Sequence, residues 1–367
     1  MNRRRFIRHT IGGTLLLFGC YFIGLLTYGW ATDWQPGEDP TPLSFDQISA
    51  NNQLTDSLFT LAIWNVGFGG LGAESDFFYD DEGMWYSGNS MTQSPKHLVE
   101  KNLNGALQFF EQTKDSVDFF LLQEADIESD RSYRIRQYDA YQRVLQGFSA
   151  DFAVNYQCNR VPIPLLEPWN VYGEVLSGLA TFSRYHPQKA IRYQLPGHYP
   201  MPDRLFQLDR CAALHRYSLQ NGKELVIINL HNSAYDPGDK IKAIQMPYLR
   251  DLAIEAYENG DYVVLGGDWN QCPPHFRFDS FMPGNTQGFL QGNVPPDFFP
   301  EDWVFAYDPT VPSNRKARDP YQKGKTFVTL IDFFLVSPNV RIRSVRGLDQ
   351  GFQFSDHQPV LVTIELR

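Results

Sequence analysis

From Ser57 onward, short apolar runs rich in β-branched and aromatic residues follow one another, each bounded by Gly, Asn, Asp or Pro. Eight of these runs are predicted to be strands: LFTLAIWNV, VDFFLLQE, LSGLATFS, CAALHRYSL, ELVIINLH, YVVLGGD, TLIDFFLVS and PVLVTIEL. Two segments carry convincing helical periodicity, and both fall between strands. This order predicts an α+β layered sandwich, in which two β-sheets face each other and the helices lie outside.

The two helices are predicted from their caps and periodicity. The first has Ser94 as its N-cap and Pro95 in its first turn, where a missing N–H costs nothing. Its apolar face comprises Val99, Leu103, Ala106 and Phe110. The second is predicted to run from about Asp239 to Glu258, and we expect Pro247 to kink it.

The N-terminus carries an almost unbroken apolar run, IGGTLLLFGCYFIGLLTY at residues 11–28, close to the ~20 residues that cross a bilayer as a helix. The basic cluster NRRRFIR precedes it, so the positive-inside rule keeps the N-terminus cytoplasmic and sends the rest of the chain outward. We therefore expect residues 1–30 to be a membrane-spanning anchor or signal. Residues 31–56 are predicted to be a polar tether, and residues 57–367 the folded domain.

The sequence leaves the processing of this N-terminus open. Retention as an anchor, with the domain periplasmic or extracellular, is the first expectation. Cleavage near Gly29-Trp30-Ala31 would instead secrete the domain. The stretch Arg3–Arg8 resembles a bacterial twin-arginine export signal, and Leu17–Cys20 resembles a lipoprotein box.

Composition excludes several classes of protein. Hydrophobic residues make up 43% of the 367 residues and charged residues 20%, which excludes disordered and coiled-coil chains. The first thirty residues hold four arginines and no acid, so the remainder has 28 basic against 42 acidic residues, a net charge of −14. A negative net charge of this size disfavours a protein that binds nucleic acid non-specifically through electrostatic attraction. Four cysteines without a CxxC pair exclude a disulfide scaffold or structural zinc, although Cys158 and Cys211 could form one disulfide.

Polar residues suited to metal binding or proton transfer stand at the ends of the predicted strands. They are Asn65, Glu124, His231, Asp268, Asn270 and Asp332, with Asp356 and His357 just before the last strand. Singly, such residues most often cap turns or form hydrogen bonds in the core. Together, oxygen donors without cysteine suit Mg²⁺, Mn²⁺ or Ca²⁺, and two histidines add groups that exchange protons near neutral pH. A hard cation with acid–base histidines is suited to hydrolysing a phosphate ester.

The same residues carry a family resemblance. In order along the chain, the motifs are WNVG (64–67), LLQE (121–124), SGLATFSR (177–184), NLHNSAY (229–235), GGDWN (266–270), LIDFFLVS (330–337) and SDHQPV (355–360). This set resembles the endonuclease/exonuclease/phosphatase superfamily, which includes pancreatic-type deoxyribonucleases, abasic-site endonucleases, neutral sphingomyelinases and inositol-polyphosphate 5-phosphatases. The likeness covers about residues 57–367, which would then be a catalytic domain.

The resemblance implies a four-layer α/β sandwich, with two facing mixed β-sheets flanked by helices and the site along one edge of the sheets. It also implies a divalent cation, Mg²⁺ or else Mn²⁺ or Ca²⁺. Glu124 would be the principal ligand and Asn65 would lie beside it. Asp356 would be a second-site or water-mediated ligand.

The resemblance further implies the catalytic residues. Asp268 and Asn270 would hold the scissile phosphate and the attacking water. His357, oriented by Asp332, would activate water or stabilise the transition state, and His231 would donate from the opposite side. Mechanisms within the family differ on which of Asp268, His231 and His357 accepts the proton of the nucleophile, so that assignment stays open.

The function predicted is an exported, metal-dependent phosphodiester hydrolase, anchored in the membrane through residues 11–28. Nucleic acid is the first substrate expected, with the basic segment 314–325 along the cleft, and phospholipid is the second. The lipid alternative, of the sphingomyelinase type, would use aromatic loops containing Phe77, Phe78, Trp85 and Tyr86 or Phe298, Phe299 and Trp303. A phosphomonoesterase and a non-catalytic binding ectodomain are the remaining alternatives.

Overall fold

A computed structural model of the chain describes residues 3–81, 84–234, 236, 238, 240–277, 281 and 292–367. The helices are α1 (Arg3–Thr32), α2 (Lys96–Thr113), α3 (Gln137–Val144) and α4 (Lys242–Glu258). The strands are β1 (Thr41–Pro42), β2 (Phe45–Gln47), β3 (Leu58–Asn65), β4 (Phe119–Asp126), β5 (Ser149–Val161), β6 (Gly173–Ser183), β7 (Lys189–Gln194), β8 (Cys211–Ser218), β9 (Glu224–His231), β10 (Tyr262–Asp268), β11 (Val304–Ala306), β12 (Asn314–Arg315), β13 (Val328–Thr329), β14 (Asp332–Val336), β15 (Val340–Gly347) and β16 (Val360–Leu366).

Two seven-stranded sheets and a short two-stranded ribbon hold these strands. The strand orders are β1-β7-β8-β9-β10-β14-β11 in one sheet and β15-β16-β3-β4-β6-β5-β2 in the other, and β12 pairs with β13. Both large sheets are mixed. One contains the parallel pair β9–β10 and the other the parallel pair β3–β4, while their other neighbouring strands are antiparallel. Parallel neighbours end at the same edge of a sheet, so each sheet brings two strand ends together there.

The layers are held together by three apolar cores. Residues such as Ile63, Ile227 and Phe334 fill the space between the two sheets. Leu249 belongs to the core between α4 and one sheet, and Phe110 to the core between α2, α3 and the other sheet. Helix, sheet, sheet and helix therefore form four layers, which confirms the predicted sandwich.

All eight predicted strands are present, and the differences concern elements with weaker patterns. Helix α2 begins at Lys96 with Pro95 as its N-cap, one residue later than predicted. Helix α4 begins at Lys242 and continues through Pro247, while Asp239 lies outside the described residues. The helix α3 and the long strand β5 were not predicted, because neither has a long apolar run.

Two further features of the chain differ from the expectations. Within residues 31–56, β1 pairs with β7 and β2 pairs with β5, so part of the segment predicted as a tether joins the sheets. The disulfide considered above is not formed, since Cys158 and Cys211 are both free, buried thiols. Helix α1 contains one stretch, His9–Thr32, that is long and apolar enough to cross a membrane, and most of its large apolar side chains are exposed.

Candidate active site

The centre of the site lies at one end of β10, where three strands bring their polar ends together. Asp268 is the last residue of β10 and lies opposite His231 in the parallel strand β9. On its other side, Asp268 lies opposite Asp332, the first residue of β14. The sheet register alone therefore places one carboxylate between an imidazole and a second carboxylate.

The facing sheet contributes Asn65 and Glu124 from the parallel strands β3 and β4. Glu124 has a left-handed backbone, φ 55°, at a bulge where the β4–β6 register shifts between Leu122 and Ala125. The amide Nδ2 of Asn65 donates to Glu124 Oε1 at 3.1 Å and to Asp268 Oδ2 at 3.0 Å. A single buried amide thus joins the carboxylates of the two sheets.

His357 and Asp332 form a buried pair. The two residues are joined by His357 Nδ1 and Asp332 Oδ2 at 2.8 Å. Trp64 donates its indole N–H to the backbone oxygen of His357 at 3.0 Å, and Asn314 Nδ2 lies 3.0 Å from His357 Nε2. Burial disfavours the charged imidazole, but the carboxylates of Asp332 and Asp268 outweigh it and raise the pKa of His357 well above its usual value.

His231 has the opposite electrostatic setting. Its Nε2 lies 3.4 Å from Asp268 Oδ2 and 3.8 Å from Glu124 Oε1, while its Nδ1 has no hydrogen-bond partner among the described residues. Burial, the charge of Arg210 and the charge of His357 lower the pKa of His231 well below its usual value. The site therefore favours a neutral imidazole at His231 and a charged imidazole at His357.

Asp268 and Asn270 form a tight turn after β10. The backbone N–H of Asn270, which has φ 49°, donates to Asp268 Oδ1 at 2.9 Å. The side-chain amide of Asn270 donates to the backbone oxygen of Asn232 at 3.0 Å, which fixes its orientation. Burial raises the pKa of Asp268 to about 6, with His357 opposing this effect and Asp332 adding to it.

Asp356 lies beside the turn that follows Asn65. A Cβ built on Gly67, whose φ is 52°, would come 2.9 Å from Asp356 Oδ1, so a side chain there would collide with the carboxylate. The hydroxyl of Ser355 donates to the backbone oxygen of Asn65 at 2.8 Å and holds the two segments together. Burial raises the pKa of Asp356 to about 7, with His357 opposing this effect and Glu124 adding to it.

The donor set fits a hard divalent cation. The carboxylates of Asp268 and Asp332 lie within 4.8 Å of each other and of His357, and the amide of Asn65 connects Asp268 to the carboxylate of Glu124. Burial disfavours the ionised forms of Asp268 and Asp356, and a nearby cation would favour them. Oxygen ligands without thiolates are what Mg²⁺, Mn²⁺ and Ca²⁺ prefer.

Arg210 is a residue of the site that the strand-end pattern did not indicate. It is 5% exposed, and its Nε and Nη1 have no hydrogen-bond partner among the described residues. Arg210 directly precedes β8, and the β8–β9 pairing of Ala212 with Leu230 places it next to the end of β9. Its charge acts on His231 more strongly than any other charge does. The sequence signal for this residue was its position: Arg210 directly precedes the predicted strand CAALHRYSL, which neighbours the strand that ends in NLH.

The basic segment 314–325 does not supply all the cleft cations expected of it. Arg315 is 1% exposed, and its Nη2 donates to the backbone oxygens of Leu71, Gly72 and Ser75 at 2.9 to 3.2 Å. Its guanidinium is therefore committed to the loop after Asn65 and not to a ligand. The side chain of Lys323, by contrast, is 86% exposed.

The aromatic loops also divide into buried and exposed parts. Phe299 and Trp303 are 3% and 5% exposed and belong to the core beside α4, so they cannot reach a lipid surface as expected. Phe78 is also buried. Trp85 and Tyr86 are 51% and 60% exposed.

A four-layer sandwich with carboxylates, carboxamides and histidines at one edge is the arrangement of a class of phosphoesterases and nucleases. The sequence profile of the Endonuclease/Exonuclease/phosphatase family matches residues 62–357, and the chain belongs to this family. No curated protein matches the sequence.

Solved structures of low sequence identity share the fold. A Bacteroides vulgatus endonuclease/exonuclease/phosphatase is 16% identical, with 85% of this chain and 100% of that chain covered and a TM-score of 0.50. ANGEL2, described as a 2′,3′-cyclic phosphatase, is 12% identical, with 88% and 98% covered and a TM-score of 0.52. The human Nocturnin catalytic domain is 16% identical, with 89% and 98% covered and a TM-score of 0.50.

Proposed function

We propose that this protein is a divalent-metal-dependent phosphodiester hydrolase. The observation that carries the proposal is the arrangement of two histidines on either side of Asp268. His231 Nε2 and His357 Nε2 lie 3.4 Å and 3.7 Å from the same carboxylate oxygen, and their pKa values are shifted in opposite directions. Environments that shift the pKa values of two titratable groups in opposite directions in this way supply a base and an acid at one pH.

In the reaction we propose, water attacks phosphorus while the bond to the leaving oxygen breaks. The neutral imidazole of His231 takes the proton of the water. The imidazolium of His357, stabilised by Asp332, gives its proton to the leaving oxygen. Asp268 lies beside both Nε2 atoms and can return the proton from His231 to His357 after the products leave.

The metal and Arg210 would act on the phosphate itself. A divalent cation held by Glu124, with Asn65 and Asp356 nearby, would supply charge stabilisation to the phosphoryl oxygens. Arg210 has buried N–H groups without partners among the described residues, which suits it to donate to a phosphate oxygen. The binding-ectodomain alternative is disfavoured because the acid, base and oxygen-donor residues are all present and converge.

The test is hydrolysis by the full-length chain in detergent, with Mg²⁺, Mn²⁺ or Ca²⁺. The substrate panel is a chromogenic phosphodiester, the matching monoester, DNA, RNA, sphingomyelin, other phospholipids and inositol phosphates. We expect diester cleavage that the His231→Asn and His357→Asn variants lose. Cleavage of the monoester alone would replace the proposal with a phosphatase, and no metal-dependent cleavage of any substrate would contradict it.

The substrate class has two candidates, each favoured by a different observation. Nucleic acid is favoured by the segment NLH at the end of β9, which resembles the deoxyribonuclease pattern, although the net charge of −14 beyond residue 30 opposes it. Phospholipid is favoured by α1, whose C-terminal half contacts the folded domain through Tyr21 and Phe22. We also propose that α1 anchors the protein in a membrane with the catalytic domain outside the cytoplasm.

A further inference from the structure

The tryptophans and tyrosines exposed on the surface are confined to one region. Among the described residues, every Trp or Tyr that is more than about a third exposed lies on α1 or on one of two loops that contact α1. They are Tyr28, Trp30, Trp85, Tyr86 and Trp169, with exposures of 46 to 81%. We refer to these five residues as the aromatic collar. Exposed aromatic residues scattered at random would not share one end of one helix.

Three loops of the domain hold the C-terminal half of α1. The ring of Phe22 lies 6.5 Å from that of Trp85, and Tyr21 donates its hydroxyl to the backbone oxygen of Leu165 at 3.2 Å. A Cβ built on Gly29 would come 2.9 Å from the ring of Phe206, so the helix approaches this loop closely. The contacting residues Phe22 and Gly29 are seven residues apart, two helical turns, so they lie on the same face of α1.

The geometry points to a lipid surface as the partner that contacts the aromatic collar. We infer that the aromatic collar seats the folded domain in the outer leaflet of the bilayer that α1 crosses, with its aromatic rings between the headgroups and a depth of about 10 Å in the acyl chains. This inference rests on the proposed membrane location of α1 and not on the proposed hydrolase activity. Trp and Tyr are the residues enriched at the boundary between headgroups and acyl chains in membrane proteins.

The length of α1 places the collar at the right depth. About 20 helical residues cross the hydrocarbon core, so a span that starts after Arg8 reaches the outer boundary near Tyr28. Phe22 lies six residues before Tyr28, about 9 Å along the helix at ~1.5 Å per residue. Trp85, which contacts Phe22, therefore lies within the ~5–10 Å to which interfacial apolar side chains enter a bilayer.

The two loops that carry Trp85, Tyr86 and Trp169 are joined by backbone hydrogen bonds, which favours their contact with lipid. The N–H groups of Leu165 and Leu166 donate to the backbone oxygens of Met84 and Trp85 at 2.8 and 3.1 Å, so these groups do not need water. Glu167 is a charged residue of these loops. Hydrogen bonds from Asn170 and Ser87 lower the pKa of Glu167 and satisfy its carboxylate within the loops.

The experiment uses tryptophan fluorescence of the full-length chain in phosphatidylcholine proteoliposomes whose acyl chains carry bromine, a quencher that acts at short range. The chain has seven tryptophans, and Trp64, Trp269 and Trp303 are buried in the protein. We expect strong quenching of the wild type. The Trp85→Phe/Trp169→Phe variant, which keeps aromatic rings in place, should lose at least half of the quenchable emission.

Trp303→Phe is the matched control, because it also removes one tryptophan but from the core beside α4, and it should leave the quenchable emission unchanged. Equal quenching of the double variant and the wild type would show that Trp85 and Trp169 do not meet lipid and would overturn the inference. Protection of both residues by self-association of the chain, detected by crosslinking at position 85, would overturn it as well. The readout does not depend on catalysis, so loss of the proposed activity would leave this test intact.

Discussion

Replacing Asp332 by Asn removes one negative charge from beside the imidazole of His357 and keeps the size and shape of the side chain. The amide oxygen of Asn can still accept from His357 Nδ1, and Ser313, which donates to Asp332 Oδ2 at 2.7 Å, can still hydrogen bond to the new side chain. The variant therefore tests the charge of Asp332 and not its packing.

The size of the effect follows from the distance. With 2.8 Å between His357 Nδ1 and Asp332 Oδ2, the two charge centres lie ~4 Å apart, where opposite charges attract by about 4 kcal/mol at an effective dielectric constant near 20. If the transition state depends on a protonated His357, losing this attraction costs about 10³ in kcat, within the ~10²–10⁴ typical of a proton-transfer group. The pKa of His357 should also fall.

The assay is a double-mutant cycle on phosphodiester hydrolysis with Asp332→Asn, His357→Ala and the double variant. Because Asp332 acts through His357, the double variant should be no more than a few-fold slower than His357→Ala alone. Fully additive losses, or an Asp332→Asn variant within tenfold of the wild type, would show that the pair does not work as a unit.

The chain supplies a matched control for this cycle. His215 and Asp151 form a second buried pair, with His215 Nε2 2.8 Å from Asp151 Oδ2, between β8 and β5 and outside the site. Asp151→Asn removes the same kind of contact and should lower the free energy of unfolding. Its kcat per folded molecule should stay near that of the wild type, which separates the catalytic effect from a general effect on stability.

Three further predictions concern the metal, the phosphate and the membrane. Chelation should abolish hydrolysis and Mg²⁺ or Mn²⁺ should restore it, while Glu124→Gln should weaken metal binding measured by calorimetry without unfolding the protein. Arg210→Gln should lower kcat/KM by about 10- to 100-fold, the value of one hydrogen bond to a charged group, whereas Arg210→Lys should recover part of it. A reporter active only outside the cytoplasm, fused after Arg367, should give signal, and the protein should stay with membranes after a salt wash.

The proximity of these polar residues could be predicted because sheet geometry makes the ends of neighbouring strands lie side by side. His231, Asp268 and Asp332 are far apart along the chain, yet each lies at an end of an apolar run, and the pairing of β9, β10 and β14 makes them adjacent. The two facing sheets could be predicted for the same reason, since the apolar runs that form their cores are long. Local pattern and tertiary position agree for these residues.

The contacts that hold the site residues in place and shift their pKa values could not be predicted in this way. The bridge from Asn65 to two carboxylates depends on how close the two sheets approach, which is set by side chains such as Ile63 and Phe334 between them. Arg210 carries a charge that sequence patterns assign to the surface, and its burial depends on the loop before β8. Strand β5 was missed because its longest apolar stretch, residues 152–154, is only three residues long and has polar residues on both sides.

Arg315 shows how burial changes the test of substrate class. Because its guanidinium holds the backbone of residues 71–75, neutralising it would disturb the loop after Asn65, and any decrease in DNA cleavage would be uninformative. Lys323 and Lys325 are exposed and can be removed without that effect. If DNA crosses this segment, Lys323→Ala/Lys325→Ala should reduce the salt slope of DNA cleavage by about 0.9 for each phosphate that a lysine no longer neutralises. A phospholipid substrate bound beside α1 would show no such change, so an unaltered salt slope together with lipid hydrolysis would assign the site to lipid.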